Sequence, residues 1–540
     1  MTASSMRFVD WLAADLAKRG TRFAFGVPGG GISLDLLEAS QSAGMQTVIT
    51  AREDAAAMMA GVAGRLANAP GLAFSTKGPG LASATNGLAS ALLDRLPTLM
   101  VAEHFDPEEL VFLSHQVFDQ AALANGLFGD IAGGKSRAIA PDPIAVTSAL
   151  QGMMQAPMGP SVLLADPHMM TAQIDISAIE PSDTLADEAP SSAIDQAIQA
   201  IKKAKRPVIV AGLEATTPGV AAGVHALSSA LGAPVLVTYM AKGVVPDSHP
   251  NFAGIFTGGA IEQACVNAAD MIILVGVDPV ELIRKPWPYS MPVVDLCAYA
   301  HSPHYLVPTA RAEGDLASTV AAVAGGVHAG NWTSAEAAQH RDAISAGMSM
   351  TSDSGLSPVQ VVEGVFAAFG STPRLTVDAG AHMFSACAFW QAEQPLDVLI
   401  SNGLASMGFA LPAAIAAALH EPERGAVAMT GDGGFLMCLG ELKTAAAMNA
   451  NLTVVVFNDA CLSLIDIKRE QRQMQDLGLS WEAPDFTKVA AGFGFSTWLA
   501  SNPAELRSAA DAAAATSGPC LIDARIDASG YLGQLRALRG

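Results

Sequence analysis

The clearest chemistry in the chain lies in Gly431-Asp432-Gly433-Gly434, with Asn458-Asp459 downstream. These residues follow the short apolar run Ala426–Thr430, which reads as a buried strand. They precede Phe435 to Ala450, where Phe435, Leu439, Leu442 and Ala446 recur at helical spacing. A second strand-like run, Leu452–Phe457, is β-branched and apolar and ends at Asn458-Asp459. A glycine-rich turn between strand and helix offers backbone N–H groups at a positive helix terminus, which suits a diphosphate. An aspartate inside that turn would repel phosphate unless a divalent cation lies between them. A carboxylate at the end of the next parallel strand can reach the same cation. The segment therefore predicts a metal-bridged diphosphate site at the carboxyl edge of a sheet.

The elements that must position this site alternate, strand-like and helix-like, almost from end to end, which predicts an α/β fold built on parallel sheets. Three blocks separate, at residues 1–175, 190–330 and 355–540. The first ends in the strand-like Ser161–Ala165. The second includes Arg206–Gly212 and Met271–Gly276, both read as buried parallel strands. Between the blocks lie Glu180 to Ser192, polar and acidic, and Gly325 to Ser354, rich in Ala, Ser and Gly, both expected to be linkers. The chain opens with an amphipathic helix over Phe8–Leu16 and lacks the layout of a signal peptide.

Composition narrows the function classes. Lys and Arg number 30 against 51 Asp and Glu, with no basic run, so nucleic acid is not an expected partner. No apolar stretch approaches the roughly 20 residues of a membrane span. Six cysteines are scattered without a CxxC pair, which fits a reduced cytoplasm better than a disulfide framework or a zinc site.

Five segments in fixed order carry a family likeness: Phe25-Gly-Val-Pro-Gly-Gly30, Arg52-Glu-Asp54, Ser75-Thr-Lys-Gly-Pro-Gly80 with Asn86-Gly-Leu88, Asn402 to Pro412, and the Gly-Asp-Gly unit. Together the chain resembles the thiamine-diphosphate (ThDP) enzymes of the acetohydroxyacid synthase and benzaldehyde lyase group, over nearly its whole length. The resemblance implies three doubly wound parallel-sheet domains: an N-terminal pyrimidine-binding domain, a central domain and a C-terminal diphosphate-binding domain. It also implies an active site shared between subunits of a homodimer, often paired into a homotetramer.

Further roles follow only from that resemblance. Asp432, Asp459 and the backbone carbonyl of Cys461 would ligate Mg²⁺, with Gly431, Gly433 and Gly434 at the diphosphate. Asp459 stands where the family usually has Asn, and Asn458 is the alternative ligand. His382, in Asp378–His382, would face the diphosphate as a donor, or be satisfied locally. Glu53 would share a proton with N1′ of the aminopyrimidine; otherwise it is a carboxylate at a helix N-terminus. Met407 would prop the bent cofactor, Ala405 would offer its carbonyl to the cofactor's amino group, and Pro28 and Asn86 lie in the cofactor-binding motifs. On the substrate side, Gly30 with Gly29 and Gly31 would bring backbone N–H groups to the reacting carbon. His115 or Gln116 would move protons there, and Leu462, Leu464, Ile465 and Lys468 would border the pocket.

Flavin-dependent relatives carry a basic and acidic cluster where this chain reads Gly276-Val-Asp-Pro-Val-Glu-Leu282. FAD is thus less expected than its absence, and a nucleotide such as ADP stays open. The expected activity is C–C bond cleavage or formation on a 2-oxo acid or 2-hydroxy ketone, with carboligation of the acetolactate synthase type first. A 2-oxo acid decarboxylase comes second, and a 2-hydroxyacyl-CoA lyase or oxalyl-CoA-type decarboxylase third. Of other classes, a non-catalytic ThDP-fold subunit is opposed by the retained Glu53, Asp432 and Met407. A nicotinamide enzyme is opposed by the lack of a GxGxxG after a strand in the central block.

Overall fold

The computed structural model describes residues 5–106, 108–128, 138–139, 141–176, 187–282, 286–299, 301, 307–352 and 354–540. Three six-stranded sheets organise the chain. The first runs, edge to edge, Gln46–Ile49, Phe23–Val27, Gly71–Ser75, Thr98–Glu103, Ser161–Ala165 and Ala138–Ile139. The second runs Phe252–Ile255, Val235–Val237, Pro207–Ala211, Met271–Val275, Val293–Cys297 and Ala310–Glu313. The third runs Val398–Ile400, Arg374–Val377, Ala426–Gly431, Leu452–Asn458, Cys520–Arg525 and Ser496–Ala500. Pairings in all three are parallel, as in Phe25↔Ala73, Ile273↔Ile209 and Val455↔Ile522. Central strands are buried along their whole length and read as unbroken apolar runs rather than alternating ones, as in Met271–Val275 and Leu452–Asn458.

The first and third sheets share one strand order, 2-1-3-4-6-5 when each is numbered along the chain. The second has the order 3-2-1-4-5-6. In such open sheets a crevice forms outside the carboxyl ends where the winding reverses, and ligands bind there. In the third sheet that point lies between Val377 and Gly431, where the Gly-Asp-Gly unit sits. In the first it lies between Val27 and Ser75, where the Gly29–Gly31 and Thr76–Gly78 loops begin.

By contact density the chain forms two compact units. One comprises 1–185, 403–426 and 437–452; the other comprises 186–402, 427–436 and 453–540. The first unit's core gathers Phe8, Leu12, Leu72, Phe74, Leu99 and Val101, among others. In the second, one cluster lies around Ile209, Ile273 and Val294, and another joins Val377, Met429, Val455 and Ile522.

Four expectations need correction. The opening helix runs Phe8–Arg19, three residues past Leu16, and stops at Gly20, whose φ of +106° only glycine adopts readily. Ahead of it, Ser5–Arg7 pairs antiparallel with Gln173–Asp175, so not every strand pairing is parallel. The stretch expected as the second linker contains a helix over Ser334–Met348, begun by a reciprocal capping box between Thr333 and Glu336. The helix expected over Phe435–Ala450 is two short ones, Asp432–Cys438 and Glu441–Ala447. They break at Gly440, where a side chain would press within 2.9 Å of Ala51 Cβ.

Candidate functional site

In the second unit, the strand ending at Gly431 passes directly into the helix that starts at Asp432, without an intervening loop. Glycine at 434 is a packing requirement, since a Cβ there would lie 2.3 Å from Asp378 Oδ2. Asp378 is fully buried and accepts the Thr430 hydroxyl at 2.7 Å, which ties the ends of the two switch-point strands together.

Asp432 is 2% exposed. Its Oδ1 accepts the Gly433 N–H at 2.9 Å, while Oδ2 is buried without a partner. Burial first, and the nearby Asp459 charge second, push its carboxyl up to about 7. Asp459 sits just past the strand end, its own carboxyl raised by burial and held by the Ser463 hydroxyl. The next residue, Ala460, has a left-handed φ of +56°, local strain of the sort that collects at functional sites. Ladder bonds on either side run from Leu462 N–H to Leu479 and from Trp481 N–H to Ala460, leaving the Cys461 carbonyl out of them. Asn458 is buried and donates its amide to Asp523 at 2.9 Å.

This donor set fits Mg²⁺: two crowded carboxylates, one with an orphaned buried oxygen, beside a backbone carbonyl, all hard oxygens. The charges of Asp459 and Asp432 also raise the phenol of buried Tyr531, after burial itself, which places the start of the final helix beside the pair. No local sequence pattern marks Tyr531; it arrives from the far end of the chain.

His382 lies beside the Gly-Asp-Gly unit, where a Cβ at Gly431 would come within 3.3 Å of its Nδ1. It opens the helix His382–Phe389, is buried, and stacks on Phe457 with ring centroids 5.3 Å apart. Burial lowers its pKa to about 4, partly offset by a bond to the Met429 backbone, so the ring is neutral. Its Nε2 is buried without a partner.

The first unit gathers the other expected residues. Glu53 is the first residue of the helix Glu53–Ala67, half-buried, with no side-chain hydrogen bond among the described residues. The turn before it is clamped by buried Glu441, whose carboxylate accepts the N–H groups of Ala51 at 3.1 Å and Arg52 at 3.0 Å. Sequence reasoning missed Glu441, because the partners are about 390 positions apart. The loop after Asn402 is tied in the same way: Gly403 N–H donates to buried Asp94 at 2.7 Å, and Asn86 donates to Ser406 at 3.1 Å. Ala405 within it has φ +56°. Asn86, Met407, Asp54 and Met58 line a cleft of about 200 Å³, which Glu53 itself does not line.

Pro28 and the glycines after it follow the strand Phe23–Val27. A Cβ at Gly29 would lie 2.3 Å from Thr76 Oγ1 and one at Gly31 2.0 Å from Glu103 Oε1, whereas Gly30 is exposed and faces open space. His115 is exposed; Gln116 has φ +63°, and its carbonyl packs on Gly78. Of the pocket-bordering residues expected after the metal site, Leu464 packs against the core while Ile465 is exposed.

Among the described residues, backbone donors at the central sheet's switch point are taken by the chain's own acids rather than left for a flavin or nucleotide diphosphate. The N–H groups of Leu213 and Asp278, which would cradle phosphate there, both donate to Glu281 Oε2, at 2.8 and 3.0 Å. Thr238 holds the other Glu281 oxygen, and Glu214 takes the Ala298 N–H at 2.9 Å. Burial raises the carboxyls of Glu214 and Glu281 to about 8 each. The fold thus keeps them protonated at pH values where the unfolded chain, with ordinary carboxyl pKa values near 4.5, ionises them. Their contribution to stability is complete below that ordinary value and drains as pH rises to about 8, by up to about 1.4 kcal/mol per pH unit for each group. We predict that Tm falls across this window and that Glu281→Gln, which mimics the protonated acid, melts above wild type at pH 9 but not at pH 5. Parallel pH profiles of Tm by calorimetry would contradict this.

Comparison with known proteins agrees with this geometry. Profiles described as the N-terminal TPP binding domain, the central domain and the C-terminal TPP binding domain of thiamine pyrophosphate enzymes match residues 6–123, 194–294 and 378–524. The chain is 25% identical to an acetolactate synthase of Bacillus subtilis over 536 residues, covering 95% of this chain and 92% of that protein. It is 26% identical to a catabolic acetolactate synthase of Raoultella terrigena over 537 residues, covering 96% and 94%. A putative thiamine pyrophosphate-containing protein of Bacillus subtilis, YdaP, is 26% identical over 543 residues, covering 95% and 90%. With three parallel-sheet α/β domains matched in family order, the chain belongs to the thiamine pyrophosphate enzymes and is a ThDP-dependent enzyme.

Proposed function

We propose that the protein is a Mg²⁺-dependent ThDP carboligase that joins the two-carbon unit of one 2-oxo acid to a second, a reading supported by its likeness to proteins named acetolactate synthases. The observation that carries the metal-bound reading is the Asp432–Asp459 pair, with its buried, partnerless Asp432 oxygen. Near full-length similarity to acetolactate synthases favours carboligation over simple decarboxylation or CoA-linked cleavage. When bound, the cofactor supplies a nucleophilic carbon and an electron sink. The chain's residues do the rest. Asp432, Asp459 and the Cys461 carbonyl hold the cation; Glu53 exchanges a proton with aminopyrimidine N1′; Met407 gives an apolar wall; and Gly30 leaves backbone open to the reacting carbonyl. A homodimer, or a tetramer of two such pairs, in the cytoplasm is part of the same proposal.

The test is incubation with ThDP, Mg²⁺ and a panel of 2-oxo acids, following acetolactate, free aldehyde and carbon dioxide together, with the visible spectrum read for flavin. Aldehyde without acetolactate would turn the reading to a decarboxylase, and turnover only of acyl-CoA substrates would turn it to the CoA-linked class. Asp459→Asn keeps one oxygen donor and removes one charge. It is expected to raise the Mg²⁺ needed for half-maximal activity several-fold and to leave kcat at saturating Mg²⁺ within about threefold. Loss of all activity at saturating Mg²⁺ would rule out a simple oxygen-donor role.

A further inference from the structure

The switch-point crevice of the first sheet holds a charged pair, Lys77 and Glu103, to which none of the roles above is assigned. Glu103 ends the strand Thr98–Glu103 and is 1% exposed. One of its oxygens lies against the Gly29–Gly31 loop, and Oε2 has no hydrogen-bond partner. Lys77, on the neighbouring loop after Ser75, reaches over the Phe105 ring with Nζ 5.1 Å from its centroid. Its Nζ stands 3.7 Å from Glu103 Oε1 and 3.8 Å from Glu109 Oε2. Both contacts exceed hydrogen-bond length. The side chain of Lys77 is 25% exposed, so a ligand in the crevice can reach the ammonium. Burial raises the Glu103 carboxyl, and Lys77 pulls it back.

An ammonium that stands near the carboxyls of Glu103 and Glu109 but within hydrogen-bond length of neither, with the loop open at Gly30 against Glu103, has donors to spare for a small carboxylate. We propose that Lys77 and Glu103 form the subsite for the carboxylate of the acceptor 2-oxo acid, with Lys77 as the direct contact and Glu103 as its positioning residue. This rests on the carboligase reading above. The acceptor is the better occupant because it keeps its carboxylate through to product. A donor loses that charge as carbon dioxide, so a cation beside it would stabilise the ground state more than the transition state.

The experiment uses full-length Lys77→Met, Lys77→Arg and Glu103→Gln with ThDP and Mg²⁺. Binding of oxamate, an unreactive 2-oxo-acid isostere, is measured by calorimetry, and product partition is measured with pyruvate. Lys77→Met is expected to weaken oxamate about tenfold or more, the scale of one charge-assisted hydrogen bond. It should lower the ratio of acetolactate to free acetaldehyde by a similar factor, leaving ThDP affinity within about twofold. Lys77→Arg should recover most of the oxamate affinity, and Glu103→Gln should fall between. Unchanged oxamate affinity and partition in Lys77→Met would overturn the subsite, as would ThDP affinity falling in step with oxamate. Should Lys77→Met fold poorly by its Tm, Lys77→Arg and Glu103→Gln decide: wild-type values in both would overturn the subsite too. Wild-type protein that binds ThDP and oxamate but forms no acetolactate would instead fail the carboligase reading.

Discussion

Replacing Glu53 with Gln is expected to lower kcat by about 10²–10⁴-fold, the range for losing a positioned proton-transfer group, with little change in Tm. The substitution is isosteric and leaves the clamp on its turn untouched, because Glu441 holds Ala51 and Arg52 through their backbone N–H groups. Glu53 has no side-chain hydrogen bond to lose among the described residues, so little structural cost follows. What Gln cannot do is exchange a proton with the aminopyrimidine ring. ThDP affinity should therefore move only a few-fold, because a hydrogen bond to N1′ remains open to the amide. A carboxylate acting only on the positive end of the Glu53–Ala67 helix would behave differently, costing about 0.3–1 kcal/mol of stability and sparing turnover. Initial rates, Tm and the exchange rate of the cofactor's C2 proton separate the two, and near-normal turnover would remove Glu53 from the mechanism.

What the sequence reveals depends on how local the cause is. Leu452–Phe457 reads as a strand because β-branched apolar residues in a short run have few other uses, and the strand runs Leu452–Asn458. Asp432 and Asp459 are legible as a facing pair because parallel strands bring their carboxyl ends to one edge. The helix Ser334–Met348 was also in reach: Thr333-Ser-Ala-Glu336 is a capping-box pattern, masked by the Ala, Ser and Gly around it. Gly440 likewise marked the break between the two short helices, since glycine mid-helix weakens propagation. Other features have no local signature. Glu441 on Ala51 and Asp94 on Gly403 are contacts made across more than 300 positions, and Tyr531 reaches the diacid from a helix at least 72 positions further along the chain. The central sheet's order 3-2-1-4-5-6 hints at a nucleotide crevice, yet only the folded positions of Glu214 and Glu281 show that the chain's own acids occupy its donors.

Asp432→Asn is expected to abolish the rise in Tm that Mg²⁺ and ThDP together give the wild-type protein, and to lower activity by at least about 100-fold. The variant retains an oxygen to accept the Gly433 N–H, so the turn into the helix keeps its bond. It removes one of two carboxylates that burial and mutual repulsion already disfavour. Without ligands, the variant should therefore melt no lower than wild type. The difference emerges on adding the cation. A ligand present at about 100 times its Kd stabilises the folded state by about 2.7 kcal/mol, and that increment is what the variant loses. Thermal melts with Mg²⁺ alone, ThDP alone and both give the decisive pattern. An Asp432→Asn protein that is stabilised by the pair as strongly as wild type would show that the cation is held elsewhere. A variant that already melts well below wild type without ligands would show that Asp432 serves the fold. The ordinary expectation for a buried aspartate is the second outcome; its partnerless Oδ2 and the nearby Asp459 charge are the reason to expect neither.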